Sequence, residues 1–282
     1  MFSGNPQAPS RWQNSRARLQ EPEAAQNEAK MVRILEATGR YQILRKLEPR
    51  KVVAIARRGY PLRGVILDTE QQPSVPIPQD IIRLTGITDV MVRGKLIDMP
   101  VVRALVEPAD LIIAHNAGFD RPFCEALSPI FARKAWACSN SEIDWGMRCY
   151  EGTKLGHLIN QSGYFHVGHR AVDDCFTLLE VLARSREDSH RSPFAKLYNA
   201  SRRSRVHIFA ENAPFDLKDL LKARGYRWSD GSDGRPKSWW IEIAEETMEA
   251  ELRFLRSDIY RWKEADPPVQ RLTAFDRFRA RR

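Results

Sequence analysis

Two carboxylates follow a short apolar run near residue 65. Residues 65–67 are Val-Ile-Leu, and Asp68 and Glu70 come next with one residue between them. The run predicts a buried strand over residues 64–70, and because side chains alternate along a strand, both carboxylates would share a face about 7 Å apart. Such like charges repel, and a divalent cation removes that cost. The pair indicates a metal site; the alternative is a strand that ends in a polar turn.

A second strand and helix carry a further carboxylate. Residues 110–116 contain an apolar run that predicts a buried strand, and residues 119–127 predict the helix after it. Asp120 then lies in the first turn of that helix, where the helix dipole favours an anion. Asp120 is therefore either a metal ligand or a residue that only complements the dipole.

A histidine and two acids mark the start of a long helix predicted over residues 169–186. His169 and Asp174 are five residues apart, and five helical residues turn about 500°, so the two side chains would flank a cleft rather than lie on one line. An imidazole of ordinary pKa can accept a proton near neutral pH. The alternative is a helix start with two favourable acids, Asp173 and Asp174, and a surface histidine.

These motifs, taken in order, are Asp-x-Glu, His-Asn-Ala-x-Phe-Asp and His-x4-Asp. Over residues 64–182 the chain resembles the DEDD exonucleases of the histidine subtype, the group that includes the proofreading epsilon subunit of bacterial DNA polymerase III. The resemblance implies a ribonuclease H-like mixed sheet flanked by helices. It also implies 3′–5′ hydrolysis of single-stranded or frayed DNA, with His169 as general base. The implied ligands of two Mg²⁺ or Mn²⁺ ions are Asp68, Glu70, Asp120 and Asp174, the last chosen over Asp173 by its spacing from His169.

The sequence departs from the family after Glu70. The family continues with Thr-Gly and two antiparallel strands, whereas here Gln71 and Gln72 lead directly into a Pro-rich segment. We therefore expect the second and third strands to be missing, which would leave the strand at 64–70 as a sheet edge. This departure keeps two alternatives open: a catalytically impaired nucleic-acid-binding protein, or a structural subunit of a replication or repair assembly.

The order of elements predicts the domains. Strands alternate with helices over residues 64–187, which is typical of an α/β fold, and residues 193–263 predict a small separate α/β module. Residues 1–63 are expected to form a disordered arm and a basic helical segment, with the helical pattern running over 21–47 and interrupted near Gly39. Residues 264–282 are expected to form a loose basic tail.

The charge is uneven along the chain. The formal net charge is +9, and residues 31–63 alone carry nine Lys or Arg against two Glu, a net charge of +7. A basic segment suits a polyanion, so we expect contacts with DNA, RNA being the alternative; a solvated helix face would explain the charge equally well. The expected nucleic-acid contacts are Arg33, Arg40, Arg45, Lys46 and, in the second motif, Asn116.

The C-terminal module combines tryptophans with basic side chains. Trp228, Trp239 and Trp240 lie among Lys and Arg residues, a combination that suits stacking on single strands. The interpretation preferred from sequence is that the tryptophans build a small core under a basic surface.

Composition limits the class of protein. No apolar run approaches the roughly 20 residues of a membrane span, and residues 1–30 contain no apolar segment typical of a signal peptide. The four cysteines form no CxxC pair, which is typical of reduced thiols. We therefore expect a cytoplasmic protein with no membrane partner.

Overall fold

The computed structural model describes residues 23–49, 62–68, 73–166, 168, 170–184, 192–232, 234 and 236–279. The chain divides into two compact units, residues 1–44 and 45–282. In the first, helix α1 spans Glu23–Ala37, and the Thr38 hydroxyl donates to the Leu35 carbonyl at its end. Gly39 follows with φ of +67°, a conformation that favours glycine, so the interruption predicted there is confirmed. The helix does not resume over 41–47, where the prediction was wrong.

The second unit contains the remaining elements. Up to residue 201 they are β1 (Arg45–Lys46), β2 (Gly64–Ile66), α2 (Gln79–Thr85), α3 (Asp89–Val92), α4 (Met99–Val106), β3 (Leu111–Ala114), α5 (Ala117–Leu127), β4 (Ala135–Cys138), α6 (Leu155–Asn160), β5 (Tyr164–Phe165), α7 (Ala171–Ala183) and α8 (Pro193–Ser201). Beyond it they are β6 (Arg205–Ala210), α9 (Lys218–Ala223), β7 (Arg227–Ser229), β8 (Ser238–Ala244), α10 (Met248–Phe254) and β9 (Val269–Leu272). The α/β class predicted from sequence is confirmed.

A three-stranded parallel sheet, in the order β2-β3-β4, forms the centre of the first part of this unit. Every residue of β3 and β4 is buried, as expected for parallel strands covered on both faces. Ile112 and Trp136 pack in a core that includes residues of α4 and α5. Ile113 and Ala137 pack on the other face against residues of α6, α7 and α8. Helices therefore cover the sheet on both sides and fix the ends of its strands.

Strand β2 is shorter than predicted. It ends at Ile66, and the backbone N–H of Leu67 still donates to the Ile113 carbonyl over 3.2 Å. Asp68 therefore follows the strand instead of lying within it, and the alternation argument for its direction does not apply. Between β2 and β3 the described residues, all but 69–72, contain three helices and no strand.

A four-stranded antiparallel sheet, in the order β7-β8-β6-β9, forms the C-terminal module. Val206, Ile208, Leu221 and Leu255 are among the residues of its core. The predicted boundary at residue 193 places α8 in this module, but Leu197 of α8 is fully buried in the core of the parallel sheet. The module therefore begins at β6.

The prediction of a loose tail from residue 264 was wrong for residues 264–279. Strand β9 pairs with β6, and the Ala274 carbonyl accepts from the backbone N–H of Trp136 over 2.8 Å. The buried guanidinium of Arg121 donates to the carbonyls of Phe275 and Arg277. The charge and proline content of residues 264–282 predicted a solvated tail. Instead, backbone carbonyls of this segment accept hydrogen bonds from the buried guanidinium of Arg121 and from the edge strand β4.

In the part of the chain that the structure describes, no helix is both long and apolar enough to span a bilayer.

Candidate active site

Three of the four predicted carboxylate ligands line one cleft of about 380 Å³. Asp68 follows β2, Asp120 lies in the first turn of α5, and Asp174 lies in the first turn of α7. Strands β2 and β3 are parallel, so the segments that follow them leave the sheet at the same edge. Residues more than 50 positions apart in sequence are therefore brought to one place by the topology.

Backbone hydrogen bonds fix where each carboxylate leaves its element. The Asn116 carbonyl accepts from the N–H groups of Phe119 (2.7 Å) and Asp120 (3.2 Å), which starts α5 directly after the strand. The N–H of Asp174 donates to the Arg170 carbonyl over 2.8 Å, which sets the first turn of α7. Asp173 is exposed and does not line the cleft, so the structure places Asp174 at the site and its neighbour outside.

The cleft is unfavourable for negative charge. Burial and, after it, the charge of Asp68 together raise the pKa of Asp120 to about 6, although the backbone hydrogen bond at Asn116 opposes both. Burial and then the charge of Asp68 are also the leading causes that raise the pKa of the Cys175 thiol to about 12. Carboxylates gathered in such a place attract a cation or a proton.

Two histidines support the cleft, and sequence reasoning gave a role to neither. His166 is nearly buried, and its Nε2 lies 2.8 Å from Oδ1 of Asp174. His115 donates from Nε2 to the Thr153 carbonyl over 2.8 Å, while its Nδ1 contacts the Ser139 hydroxyl at the same distance. Burial lowers the pKa of His115, although the Thr153 carbonyl and the charge of Asp174 act in the opposite direction. His115 was present in a quoted motif; nothing in the spacing of His166 pointed to Asp174.

The other predicted residues fall into three groups. Glu70 and His169 lie outside the described residues. Asn116 lines the cleft, as do Lys154 and His157, which sequence analysis did not single out. The four basic residues predicted to touch nucleic acid are all exposed: Arg33 and Arg40 in the first unit, and Arg45 and Lys46 on β1, which pairs with β5.

The donor set suits a hard divalent cation in its chemistry. Carboxylate oxygens are the ligands that Mg²⁺ and Mn²⁺ prefer, and three carboxylates share the cleft. Among the described residues, however, no three His, Cys, Asp or Glu side chains are arranged so that they could hold an ion together. Glu70 lies outside that part of the chain. The side chains present thus supply the right atoms without forming a closed ligand group.

No protein-family model, curated protein or solved structure matches this chain.

Proposed function

We propose that the chain is a metal-dependent 3′–5′ exonuclease that hydrolyses phosphodiester bonds at the 3′ ends of single-stranded or frayed DNA. One observation carries the proposal: Asp68, Asp120 and Asp174, chosen from three separate motifs, line a single cleft at the edge of a parallel sheet. If the three motifs occurred in the sequence by chance, their carboxylates would not be expected to lie in one cleft. The order β2-β3-β4 is also compatible with a ribonuclease H-like sheet that lacks its second and third strands.

The three carboxylates, with Glu70, would hold two Mg²⁺ or Mn²⁺ ions. Bound there, the ions would supply charge relief at the scissile phosphate and an activated water. His169 is proposed to take the proton of the attacking water. His166 would hold the Asp174 carboxylate in place through the contact of 2.8 Å.

The substrate must reach the cleft with its phosphates near cations. Lys154 is exposed and lines the cleft, so it would contact the phosphate next to the scissile bond. Asn116, also in the cleft, has a side-chain amide that can donate to a phosphate oxygen or a sugar hydroxyl. Arg45 and Lys46 would contact phosphates further along the strand.

A second candidate function is nucleic-acid binding without turnover, alone or within a replication or repair assembly. Two observations favour it: no strand follows β2 in the described residues before β3, and no closed group of metal ligands is formed among them. Substrate positioning is the step that such a loss would affect first.

Turnover of a labelled oligonucleotide separates the two functions. With Mn²⁺ and a 5′-labelled single strand, an exonuclease acting from the 3′ end produces a ladder of shortened products. Asp174→Asn should remove the ladder, whereas Asp173→Asn, one residue away and exposed, should retain it. Absence of turnover in the parent protein with either metal, together with retained binding of the strand, would support the second function instead.

A further inference from the structure

Two tryptophans meet at the edge of the antiparallel sheet. Trp228 on β7 lies directly opposite Trp239 on β8, and their ring centroids are 5.5 Å apart at an interplanar angle of 62°. Strand β7 is an edge strand of the sheet, so this contact is at the edge of the module. Trp228 is 51% exposed, and Trp239 is half-buried against the core. The Trp228 ring is therefore exposed to solvent and packs against the Trp239 ring.

The preferred sequence interpretation, a core of tryptophans, holds only in part. Trp240 is buried, as a core residue should be, and Arg227 covers its ring at 4.9 Å. Trp228 is not among the residues of the module core. Trp228 packs on Trp239, and the same module carries a second exposed ring, Phe215. A single exposed apolar residue would be ordinary, but a group of them indicates a binding surface.

Two lysines extend the same surface along α9. Lys222 Nζ lies 5.9 Å from the ring centroid of Trp239, and Lys218 Nζ lies 3.9 Å from that of Phe215, which is 73% exposed. Lys218 and Lys222 are four residues apart and share a face of the helix. Lys222 also forms an ion pair of 3.7 Å with Asp219, but both side chains are mostly exposed and such a pair is weak.

The charge of this segment is positive although acids are present. Residues 218–237 contain six Lys or Arg and three Asp, a net charge of +3. Rings that accept a stacked base, with ammonium groups beside them, are the features of proteins that bind single strands. In a duplex the bases are stacked on one another, so the rings offer it no comparable contact.

We propose that the surface formed by Phe215, Lys218, Lys222, Trp228 and Trp239 binds single-stranded DNA. Unpaired bases stack on Trp228 and Phe215, and the two lysines contact the phosphates between them. The inference goes beyond the function proposed for the cleft and does not depend on any chemistry there. The C-terminal module then provides a second surface that binds the strand, in addition to the cleft.

The test is fluorescence anisotropy of a labelled 15-nucleotide dT strand with the full chain in EDTA. Trp228→Ala should weaken binding between about 5-fold and 150-fold, the range that a lost base–aromatic stack costs. Trp228→Phe keeps a ring and should recover most of the affinity. Lys222→Gln should make the slope of log K against log salt shallower by about 0.7. The matched control is Trp262→Ala, because Trp262 is 60% exposed but lies outside this surface.

Several results would overturn the proposal. The first is a parent protein that does not bind dT, and the second is an affinity for dT that is unchanged in both Trp228→Ala and Lys222→Gln. The third is a loss of affinity in Trp262→Ala as large as that in Trp228→Ala. The fourth is an affinity for a 15-base-pair duplex that equals the affinity for dT and depends on Trp228 to the same extent. Binding of an rU strand but not of dT would also overturn it. The assay contains EDTA, so binding of dT to this surface requires no metal in the cleft. A failure of turnover therefore leaves this result unaffected, and a failure here leaves the exonuclease proposal intact.

Discussion

Two partly buried carboxylates in the same unit have pKa values that are shifted in opposite directions. At Asp120 burial and, after it, the charge of a second carboxylate, Asp68, together raise the pKa to about 6. At Glu242 burial also raises the pKa, but hydrogen bonds from His207 and Arg205 outweigh it and hold the value at about 2. The Glu242 carboxylate lies 2.5 Å from Arg205 Nε and 3.0 Å from His207 Nε2.

The protein compensates the charge of Glu242 with hydrogen bonds from Arg205 and His207. At Asp120 the charged neighbour that shifts the pKa is another carboxylate, and we propose that a bound cation compensates the charge there. A charge arrangement that costs folding free energy is expected at a functional site rather than at a structural one. The predictions below change one side of this comparison at a time.

The largest expected effects concern two histidines, His169 and His166. His169→Ala should lower kcat by roughly 10²–10⁴-fold, the contribution of one acid–base group, and leave Mn²⁺ affinity unchanged because imidazole is not a proposed ligand. His166→Ala should instead weaken Mn²⁺ binding by about 10–100-fold, because it removes the hydrogen bond that orients Asp174. Single-turnover kinetics and calorimetry measure the two quantities. The reverse pattern would assign the base to His166.

Breaking a buried ion pair should destabilise the protein more than breaking an exposed one. Arg277 and Glu142 form an ion pair with side chains 3% and 7% exposed, and burial raises the pKa of Glu142 in spite of Arg277. Arg277→Ala removes the ion partner of that buried carboxylate, which keeps the hydrogen bond from the Cys138 N–H but no longer has a guanidinium against it, so the free energy of unfolding should fall by about 3–5 kcal/mol in urea denaturation. Arg271→Ala breaks an exposed pair in the same C-terminal segment and should cost at most about 1 kcal/mol. Equal costs would contradict the account.

Glu242 gives the comparison a pH dependence. Its folded pKa of about 2 is below the ordinary value of 4.5, so its contribution to stability is present above pH 4.5 and is lost as pH falls from 4.5 towards 2. Glu242→Gln should be less stable than the parent at pH 7, and the gap should narrow as the pH falls through that window. Chemical denaturation at a series of pH values measures both curves. A stability difference between the parent and Glu242→Gln that stays constant down to pH 3 would contradict the lowered pKa of Glu242.

The smallest effect concerns four exposed cations. If Arg33, Arg40, Arg45 and Lys46 each contact a phosphate, changing all four to Gln should make the slope of log K against log salt for single-stranded DNA shallower by about 3. Filter binding at several salt concentrations measures the slope. An unchanged slope would place these residues outside the interface.

Sequence predicted what local pattern determines. The apolar runs of β3 and β4 need burial on both faces, and the parallel strands β2 and β3 end at the edge of the sheet where Asp68 and Asp120 follow them. Other features depend on partners distant in the chain. The end of β2 is set by the last hydrogen bond to Ile113, and His166 acquires its role only when α7 brings Asp174 to it. Likewise, no local pattern around Ala274 indicates that its carbonyl accepts from Arg121, because the two residues are distant in the chain.

Calorimetric titration with Mn²⁺ tests the central proposal, that Asp68, Asp120 and Asp174 bind divalent cations in the cleft. The account predicts that the parent binds Mn²⁺, that Asp68→Ala and Asp174→Ala lose most of this binding, and that Asp173→Ala retains it because its side chain is exposed outside the cleft. Unchanged Mn²⁺ affinity in Asp68→Ala, or an equal loss in Asp173→Ala, would contradict it.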